Sequence, residues 1–289
     1  MRARCLRQNR PEPLPGGDDL GVVEAVRAVD AAEAGVADAA DLSWRNSQLF
    51  SDTALQGRGP PASALPTEGP DMTTAIIGVG NIGATVARQL AAGGENLLIA
   101  SQSKEPADTL AAELGSNVSS TTVDDAIARS DSVILAVWFN VLKDIVSSHA
   151  AELVGKVIVD PSNNLKPDAE GNFVSANPEG VSAGEQIAAA LPATAKYVKA
   201  FGTLPVELLT SASGRTPERA VLFYASDDDE AAATAERLIT AAGFAPVKAG
   251  GVADTRRIEV FGDLHAMGGL DGRLLTVAEA RAKISDASS

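Results

Sequence analysis

The sequence predicts an α/β protein with a Rossmann-type, doubly wound parallel sheet and a smaller C-terminal α/β portion. Apolar runs rich in Val and Ile alternate with Ala-rich segments from Met72 onward. The connections between these segments are short, as is typical of right-handed βαβ units. Only 4% of the residues are aromatic, so Ala, Val, Leu and Ile must build the core.

Composition and charge exclude several classes of protein. The chain has 289 residues, 45% of them hydrophobic, which is enough for one large domain or two small ones. Its formal net charge of -14 repels phosphate backbones, so we do not expect a nucleic-acid partner. No apolar run is long enough to span a membrane. The single cysteine, Cys5, excludes an intrachain disulfide, and we predict a cytoplasmic protein.

Residues 1–71 differ from the rest of the chain. They hold 7 of the 15 prolines and no lysine, a composition that predicts a largely disordered N-terminal extension. One hypothesis is that Met72 is the natural start, because the first predicted strand follows it directly. The intact mass of the natively expressed protein tests this, and a mass matching the full chain would contradict it.

Strands and helices alternate through residues 72–180, which we predict to form a Rossmann domain. The predicted strands are 74–77, 96–100, 119–123, 132–137 and 157–160, and the predicted helices are 81–92, 106–114, 124–129 and 141–150. Glycines end the first two helices, at Gly93 and Gly115.

Residues 181–268 continue the alternation as a portion for substrate binding or dimerisation. Its predicted helices are 183–191, 228–242 and 253–264, and its predicted strands are 197–201, 220–225 and 246–248. The apolar residues Leu204, Val206, Leu208 and Leu209 fit either a subunit contact or the core. We predict a flexible tail over residues 269–289.

A glycine turn follows the first strand, with the sequence Gly78-Val79-Gly80-Asn81-Ile82-Gly83. Gly78 permits a tight turn, Gly80 lets the backbone approach a pyrophosphate, and Gly83 allows the next helix to pack closely. The helix N-terminus offers N–H groups and a positive dipole end to the phosphates. A strand before the turn and an amphipathic helix after it indicate a dinucleotide site rather than an ordinary glycine-rich loop.

The end of the second strand favours NADP(H) over NAD(H). NAD-specific sites place Asp or Glu there to bind the ribose diol. This chain has Ser101-Gln102-Ser103-Lys104 instead, and no carboxylate occurs before Glu105. Hydroxyl groups and a lysine can hold the 2′-phosphate. The alternative is an ordinary solvated polar loop, which would contain the same types of residue. Residues 72–180 are therefore predicted to bind NADP.

The ends of strands four and five should line the crevice at the switch point of the sheet. The run 136–140 (AVWFN) carries Trp138 and Phe139, which could pack on the nicotinamide ribose or simply cap the core. The polar run 160–164 (DPSNN) is well placed to meet the carboxamide or the substrate. The run 199–203 (KAFGT) should close the crevice from the second half.

These motifs together resemble the NADPH-dependent reductases of the 8-hydroxy-5-deazaflavin coenzyme F-420. The similarity runs from about Thr73 to about Leu264. Its more specific mark is the Lys-Ala-Phe segment at 199–201, which follows a helix that begins at Ser182-Ala183-Gly184-Glu185. The resemblance implies a homodimer and direct hydride transfer between the nicotinamide and the deazaflavin, stacked in a dry crevice without a catalytic acid or base.

The residues themselves agree with this implication. No Ser-His-Asp set, metal-ligand cluster or cysteine nucleophile occurs in the pattern, and His149 and His265 are interpreted as packing or surface residues. We predict no catalytic side chain and no metal. The predicted cofactor-binding residues are Gly78, Val79, Gly80, Asn81, Ile82, Gly83, Ser101, Gln102, Ser103, Lys104, Ala136, Val137, Trp138, Asn163 and Ala200.

The chain departs from the family at three of the positions that matter. The family usually has Arg at the position of Gln102, Pro at that of Trp138 and Asn at that of Gly202. The hydride acceptor is therefore left open between a deazaflavin and another small molecule, such as a carbonyl, an imine or a flavin. A regulatory protein that binds the dinucleotide without turnover is a further alternative.

Overall fold

The computed structural model describes residues 72–286. The predictions made for residues 1–71 lie outside the described residues. These residues contain the whole predicted cofactor crevice. Within residues 72–286, no helix is long and apolar enough to cross a membrane.

Ten strands are present in the described part, and eight of them form one sheet with the order β10-β9-β8-β5-β4-β1-β2-β3. They are β1 (Thr73–Ile77), β2 (Asn96–Ala100), β3 (Val118–Ser120), β4 (Ser132–Leu135), β5 (Val157–Asp160), β6 (Leu165–Pro167), β7 (Phe173–Ser175), β8 (Lys196–Lys199), β9 (Val221–Ala225) and β10 (Ala245–Gly250). Strands β6 and β7 form a separate antiparallel hairpin.

Nine α-helices connect or cover these strands within residues 72–286. They are α1 (Asn81–Ala92), α2 (Lys104–Leu114), α3 (Val123–Arg129), α4 (Phe139–Ser148), α5 (Ala183–Ala190), α6 (Val206–Ser211), α7 (Asp229–Ala241), α8 (Thr255–Ile258) and α9 (Val277–Asp286). Helix α6 and the β6–β7 hairpin were not predicted from the sequence.

The doubly wound α/β class predicted from the sequence is confirmed, with one difference in strand direction. Strands β1 to β5 and β8 pair in parallel. Strand β9 instead meets β8 antiparallel, at Lys199 and Ala225, and β10 is parallel to β9. An antiparallel neighbour needs no full crossover, and the connection from β8 to β9 contains only the six-residue helix α6.

Both faces of the sheet are buried. Along β5, Val157 and Val159 join the core cluster on one face, and Ile158 joins the cluster on the other. All four residues of β5 are buried, which is the pattern of a parallel strand covered by helices on both sides. The carboxyl ends of the parallel strands are therefore the edge of the sheet at which their loops can form a site.

The long final helix predicted over 253–264 is wrong. A 3-10 turn (Val252–Asp254) leads into the short α8, and the chain becomes extended at Glu259. A Cβ at Gly262 would lie 2.4 Å from the carbonyl oxygens of Arg256 and Arg257, so the chain turns back tightly there. The segment has helical periodicity, but Glu259 makes contacts with another part of the chain and the helix does not continue.

The flexible tail predicted over 269–289 is also wrong for the described part of that range. Leu270, Leu275 and Ala280 are buried against Val221 and Phe223 of β9. Helix α9 begins at a capping box, in which Thr276 and Glu279 exchange hydrogen bonds. The division between a Rossmann domain and a C-terminal portion stays a prediction, since one sheet contains strands from both.

Candidate cofactor crevice

The glycine turn lies between β1 and α1 and touches the ends of two neighbouring strands. The Gly78 N–H donates to the Ala100 carbonyl at the end of β2 (2.8 Å). Gly78 has a φ of +98°, and a Cβ there would lie 2.3 Å from the Ala136 carbonyl oxygen after β4. Only glycine fits both the backbone conformation and the close approach.

The start of α1 provides the anion-binding end of this turn. A Cβ at Gly83 would lie 2.0 Å from the Gly78 carbonyl oxygen, so the helix packs directly on the turn. Gly80 caps α1, and among the described residues no side chain hydrogen-bonds this cap and no acidic residue lies in the first turn. Gly80 and Asn81 are exposed. The N–H groups and the positive dipole end can therefore bind a phosphate.

The predicted 2′-phosphate residues lie beside this turn, because they follow β2. The Ser101 hydroxyl donates to the Ser103 carbonyl (2.6 Å), which fixes the loop. Gln102, Ser103 and Lys104 are exposed at the start of α2. The Lys104 ammonium lies 3.6 Å from the Asp108 carboxylate one helical turn later. Residues 101–104 thus offer a 2′-phosphate two serine hydroxyls and one ammonium whose charge is partly neutralised by Asp108.

The loop after β4 separates its two aromatic residues. Phe139 is 5% exposed and joins the core, whereas Trp138 is 52% exposed. Val137 lines the turn, since its Cγ1 would lie 2.7 Å from a Cβ at Gly78. Ala136 and Val137 therefore form the floor beside the glycines, and Trp138 lies at the rim.

Behind the opposite wall is a buried polar network that begins at Asp160, the last residue of β5. Asp160 accepts hydrogen bonds from the Tyr197 hydroxyl (2.7 Å) and from the Ser162 N–H (2.7 Å). The Lys199 ammonium lies 3.2 Å from the same carboxylate and donates to the Ser162 carbonyl (2.7 Å). Burial and the Asp160 carboxylate raise the pKa of Tyr197 well above its usual value. The loops after β5 and β8 are thereby fixed to each other.

Glu259 joins this network from the C-terminal segment. Its carboxylate accepts hydrogen bonds from the N–H groups of Ala183 (3.0 Å) and Gly184 (2.8 Å) at the start of α5, and from the Asn177 amide (3.2 Å). It lies 3.7 Å from the Lys199 ammonium. Sequence reasoning missed Glu259, because these partners lie some 60 to 80 positions earlier in the chain. The one local signal was the conspicuous helix start at Ser182, which forms a capping box.

Asn163 and Gly202 connect the two strand-end loops to the same segment. The Asn163 side chain donates to the Gly202 carbonyl (3.3 Å) and accepts from the Val260 N–H (2.8 Å). The His265 ring donates to the Gly202 carbonyl from Nε2 (2.9 Å), because its Nδ1 accepts the Met267 N–H (2.9 Å). Burial, the main cause, lowers the pKa of His265 to about 4, so the ring is neutral.

The predicted site residues are thus not all in equivalent places. The glycine turn apart from the buried Gly83, together with Ala136, Val137 and Asn163, is partly or largely accessible around the strand ends. After β2, Ser101 is partly exposed and residues 102–104 are exposed. Ala200 differs, since it is 1% exposed and packs in the core cluster. Its amide holds the Asp160 carbonyl (3.1 Å), so its role is to join β8 to β5.

A separate cavity of about 1310 Å³ lies at the other end of α1, where Arg88 and Gln89 face Arg237 of α7. None of the residues of the glycine turn lines it. Within residues 72–286, no three His, Cys, Asp or Glu side chains are grouped so as to hold a metal ion.

Comparison with known proteins supports the interpretation of the crevice as a dinucleotide-binding site. The family described as NADP oxidoreductase coenzyme F420-dependent matches residues 73–164, which contain the glycine turn and the loops after β2, β4 and β5. This confirms the resemblance and the prediction of an NADP-dependent oxidoreductase at that coarse level. No protein of curated function matches the chain by sequence.

Two solved structures are similar to a larger share of the chain. A hypothetical protein, SMa0349 from Sinorhizobium meliloti, is 29% identical, with 71% of this chain and 95% of that chain covered and a TM-score of 0.63. A protein from Arthrobacter sp. FB24, provisionally named an F420-dependent NADP-reductase, is 25% identical, with 64% and 87% covered and a TM-score of 0.54.

Proposed function

We propose that the protein transfers a hydride directly between NADP(H) and a deazaflavin coenzyme of the F-420 type. The observation that carries the proposal is the state of the titratable groups at the strand ends. Asp160, Lys199, Glu259 and His265 are all at most 5% exposed and bonded to one another or to backbone. A crevice whose buried ionisable groups at the strand ends are all occupied suits a reaction that needs positioning rather than acid–base chemistry.

The glycine turn fits the dinucleotide. When bound, the reduced nicotinamide supplies the hydride and the deazaflavin ring accepts it. The N–H groups at the start of α1 would bind the pyrophosphate, and Ser101, Ser103 and Lys104 would hold the 2′-phosphate. Ala136 and Val137 would support the nicotinamide half, and Asn163, fixed by Gly202 and Val260, would present its amide to the carboxamide.

The deazaflavin is favoured as the acceptor by the family match and by the name of the Arthrobacter structure. A flat acceptor also suits the loops after β5 and β8, which are held rigidly by buried hydrogen bonds. Gly202 lets these two loops pack closely, since a Cβ there would lie 2.6 Å from the Pro161 carbonyl oxygen. Glycine at this position is therefore part of what fixes the wall against which a ring would lie.

Deuterium transfer tests the proposal. NADPH deuterated at C4 on one face or the other is oxidised with purified deazaflavin coenzyme, and the reduced product is analysed by mass spectrometry. Direct transfer predicts that one of the two labelled forms places its deuterium on the deazaflavin carbon, where it does not exchange with water. Product without label from either form would contradict direct transfer.

Parallel assays with FMN, a cyclic imine and a simple ketone separate the alternatives. Faster NADPH oxidation with one of these than with the deazaflavin would assign another acceptor. Tight NADPH binding without turnover of any acceptor would indicate a regulatory dinucleotide-binding protein.

We further propose that the protein is a cytoplasmic homodimer. The single Cys5 suits a reducing compartment, and the family resemblance suggests two subunits. Leu204 and Leu209 do not support a subunit contact at that patch, because both are buried within the core of one chain. Light scattering of the purified protein measures the mass in solution, and a monomer would contradict the dimer.

A further inference from the structure

Phe261 combines two unfavourable features in one residue. Its φ is +72°, in the left-handed region that bulky residues rarely occupy. Its side chain is 49% exposed, so the ring gains little from burial in return. A strained backbone that displays an apolar ring to solvent is the kind of local conflict found at functional sites.

The backbone around Phe261 is held on both sides, so the strain cannot relax. Glu259, two residues earlier, is buried at the start of α5. On the other side, a Cβ at Gly268 would lie 2.7 Å from the Phe261 carbonyl carbon, and the Gly262 N–H donates to the Glu259 carbonyl (2.8 Å). The tight turn therefore dictates where the ring is presented.

That turn is attached to the crevice and not to another surface. The Val260 N–H, directly before Phe261, donates to the Asn163 side chain after β5 (2.8 Å). After Phe261, His265 binds the Gly202 carbonyl, and the Ala266 N–H donates to the Thr203 carbonyl after β8 (3.1 Å). Phe261 thus belongs to a segment that is bonded to both loops opposite the glycine turn.

Among the described aromatic residues, Trp138 and Phe261 are the two that are exposed. Trp138 follows β4, which pairs with β1 and so lies next to the glycine turn on the cofactor side. Phe261 lies with the loops after β5 and β8, on the far side. The two exposed rings are therefore associated with different halves of the crevice.

We propose that Phe261 is a binding residue for the hydride acceptor, whose flat aromatic ring system packs against the phenyl ring. This inference rests on the proposed function and adds a specific contact to it. An apolar ring at a fixed position favours a planar, conjugated acceptor over a small aliphatic carbonyl or imine, because a planar ring buries more area against it and can stack. The strained turn holds the ring in place before the acceptor arrives.

Three substitutions at Phe261 test the inference by steady-state kinetics with NADPH and the deazaflavin coenzyme. Phe261→Ala should raise the KM for the deazaflavin at least tenfold while the KM for NADPH changes less than twofold. Phe261→Tyr, which keeps the ring, should stay within threefold of the wild type in both.

Phe261→Gly separates binding from folding. Because glycine adopts the left-handed conformation without strain, this variant should unfold at a denaturant concentration no lower than the wild type, yet its KM for the deazaflavin should rise as in Phe261→Ala. Val154→Ala is the matched control. Val154 is 54% exposed and precedes β5, at the opposite edge of the sheet, and its replacement should leave both KM values unchanged.

If the wild type reduces the deazaflavin and both Phe261→Ala and Phe261→Gly keep its KM, the inference is overturned and the proposed function stands. If the wild type binds NADPH but neither binds nor reduces the deazaflavin, both are overturned.

Discussion

The Lys199 ammonium lies 3.2 Å from the Asp160 carboxylate, and neither side chain is more than 1% exposed. These residues end two neighbouring parallel strands, β8 and β5, and are directly opposite each other in the register of the sheet. Glu259 places a second carboxylate 3.7 Å from the same ammonium. One buried cation thus serves two buried anions that come from distant parts of the chain.

Removing that cation should be strongly destabilising. Lys199→Met leaves Asp160 and Glu259 facing each other without compensation, and we expect a loss of about 3–5 kcal/mol in the free energy of unfolding. Urea denaturation measures it. The exposed Lys248→Met is the matched control and should cost less than about 0.5 kcal/mol. A loss below about 1 kcal/mol at Lys199 would show that the ion pairs are not needed for stability.

Substitutions at two glycines with similar backbone conformations distinguish the effect of backbone strain from the effect of a steric clash. Gly78 (φ +98°) and Gly94 (φ +87°) both occupy the left-handed region, but a Cβ meets the Ala136 carbonyl at 2.3 Å only at Gly78. Gly94→Ala should cost about 1–2 kcal/mol of stability and leave NADPH binding intact. Gly78→Ala should also weaken NADPH binding at least tenfold, as measured by fluorescence titration. Equal NADPH affinities in the two variants would argue against the turn as the pyrophosphate site.

Lys104 should contribute to the choice of cofactor. Its ammonium is exposed and only loosely paired with Asp108 at 3.6 Å, so it can turn toward a 2′-phosphate. Lys104→Ala should weaken NADPH binding about fivefold, or about 1 kcal/mol, and leave NADH binding unchanged. Calorimetric titration with both dinucleotides measures this, with Lys248→Ala as the control. Parallel losses for NADPH and NADH would place the 2′-phosphate elsewhere.

His265 should make stability depend on pH. Its folded pKa is about 4 because it is buried, against 6.5 when it is free, so between these values the unfolded chain binds more protons. This contribution is complete above pH 6.5 and is lost as the pH falls toward 4, with about 2 kcal/mol gone at pH 5. Urea denaturation at pH 7 and pH 5 should show a smaller loss for His265→Gln than for the wild type. An equal loss in both would assign the pH dependence to other groups.

Local sequence predicted the cofactor half of the crevice well. Helix α1 and strands β2 and β5 begin and end where the pattern placed them, because strand periodicity and glycine turns are local signals. The clash geometry at Gly78 and Gly83 agrees with the roles assigned to them. The Gly83 contact, with the Gly78 carbonyl oxygen, is local to this βαβ unit, whereas the Gly78 contact is with Ala136 after β4.

The opposite wall was predicted less well, for a physical reason. Glu259 lies within an apparent helical repeat, but its carboxylate is satisfied by the amides of Ala183 and Gly184, far away in sequence. The chain leaves α8 at Glu259, two residues before Phe261 with its positive φ. Helix α9 was also not predicted, although the sequence contains a local signal for it, the Thr276–Glu279 capping box.

The continuous hydrogen bonding of the sheet has a consequence for turnover. Because β5 pairs with β8 over four residues, the wall after β8 cannot swing away from the cofactor half as a rigid body without breaking the centre of the sheet. Within residues 72–286, hinge-bending closure between these two halves of the sheet is therefore not available. In the reaction proposed above, release of the second ligand should accordingly not wait for a large-scale opening motion of the sheet.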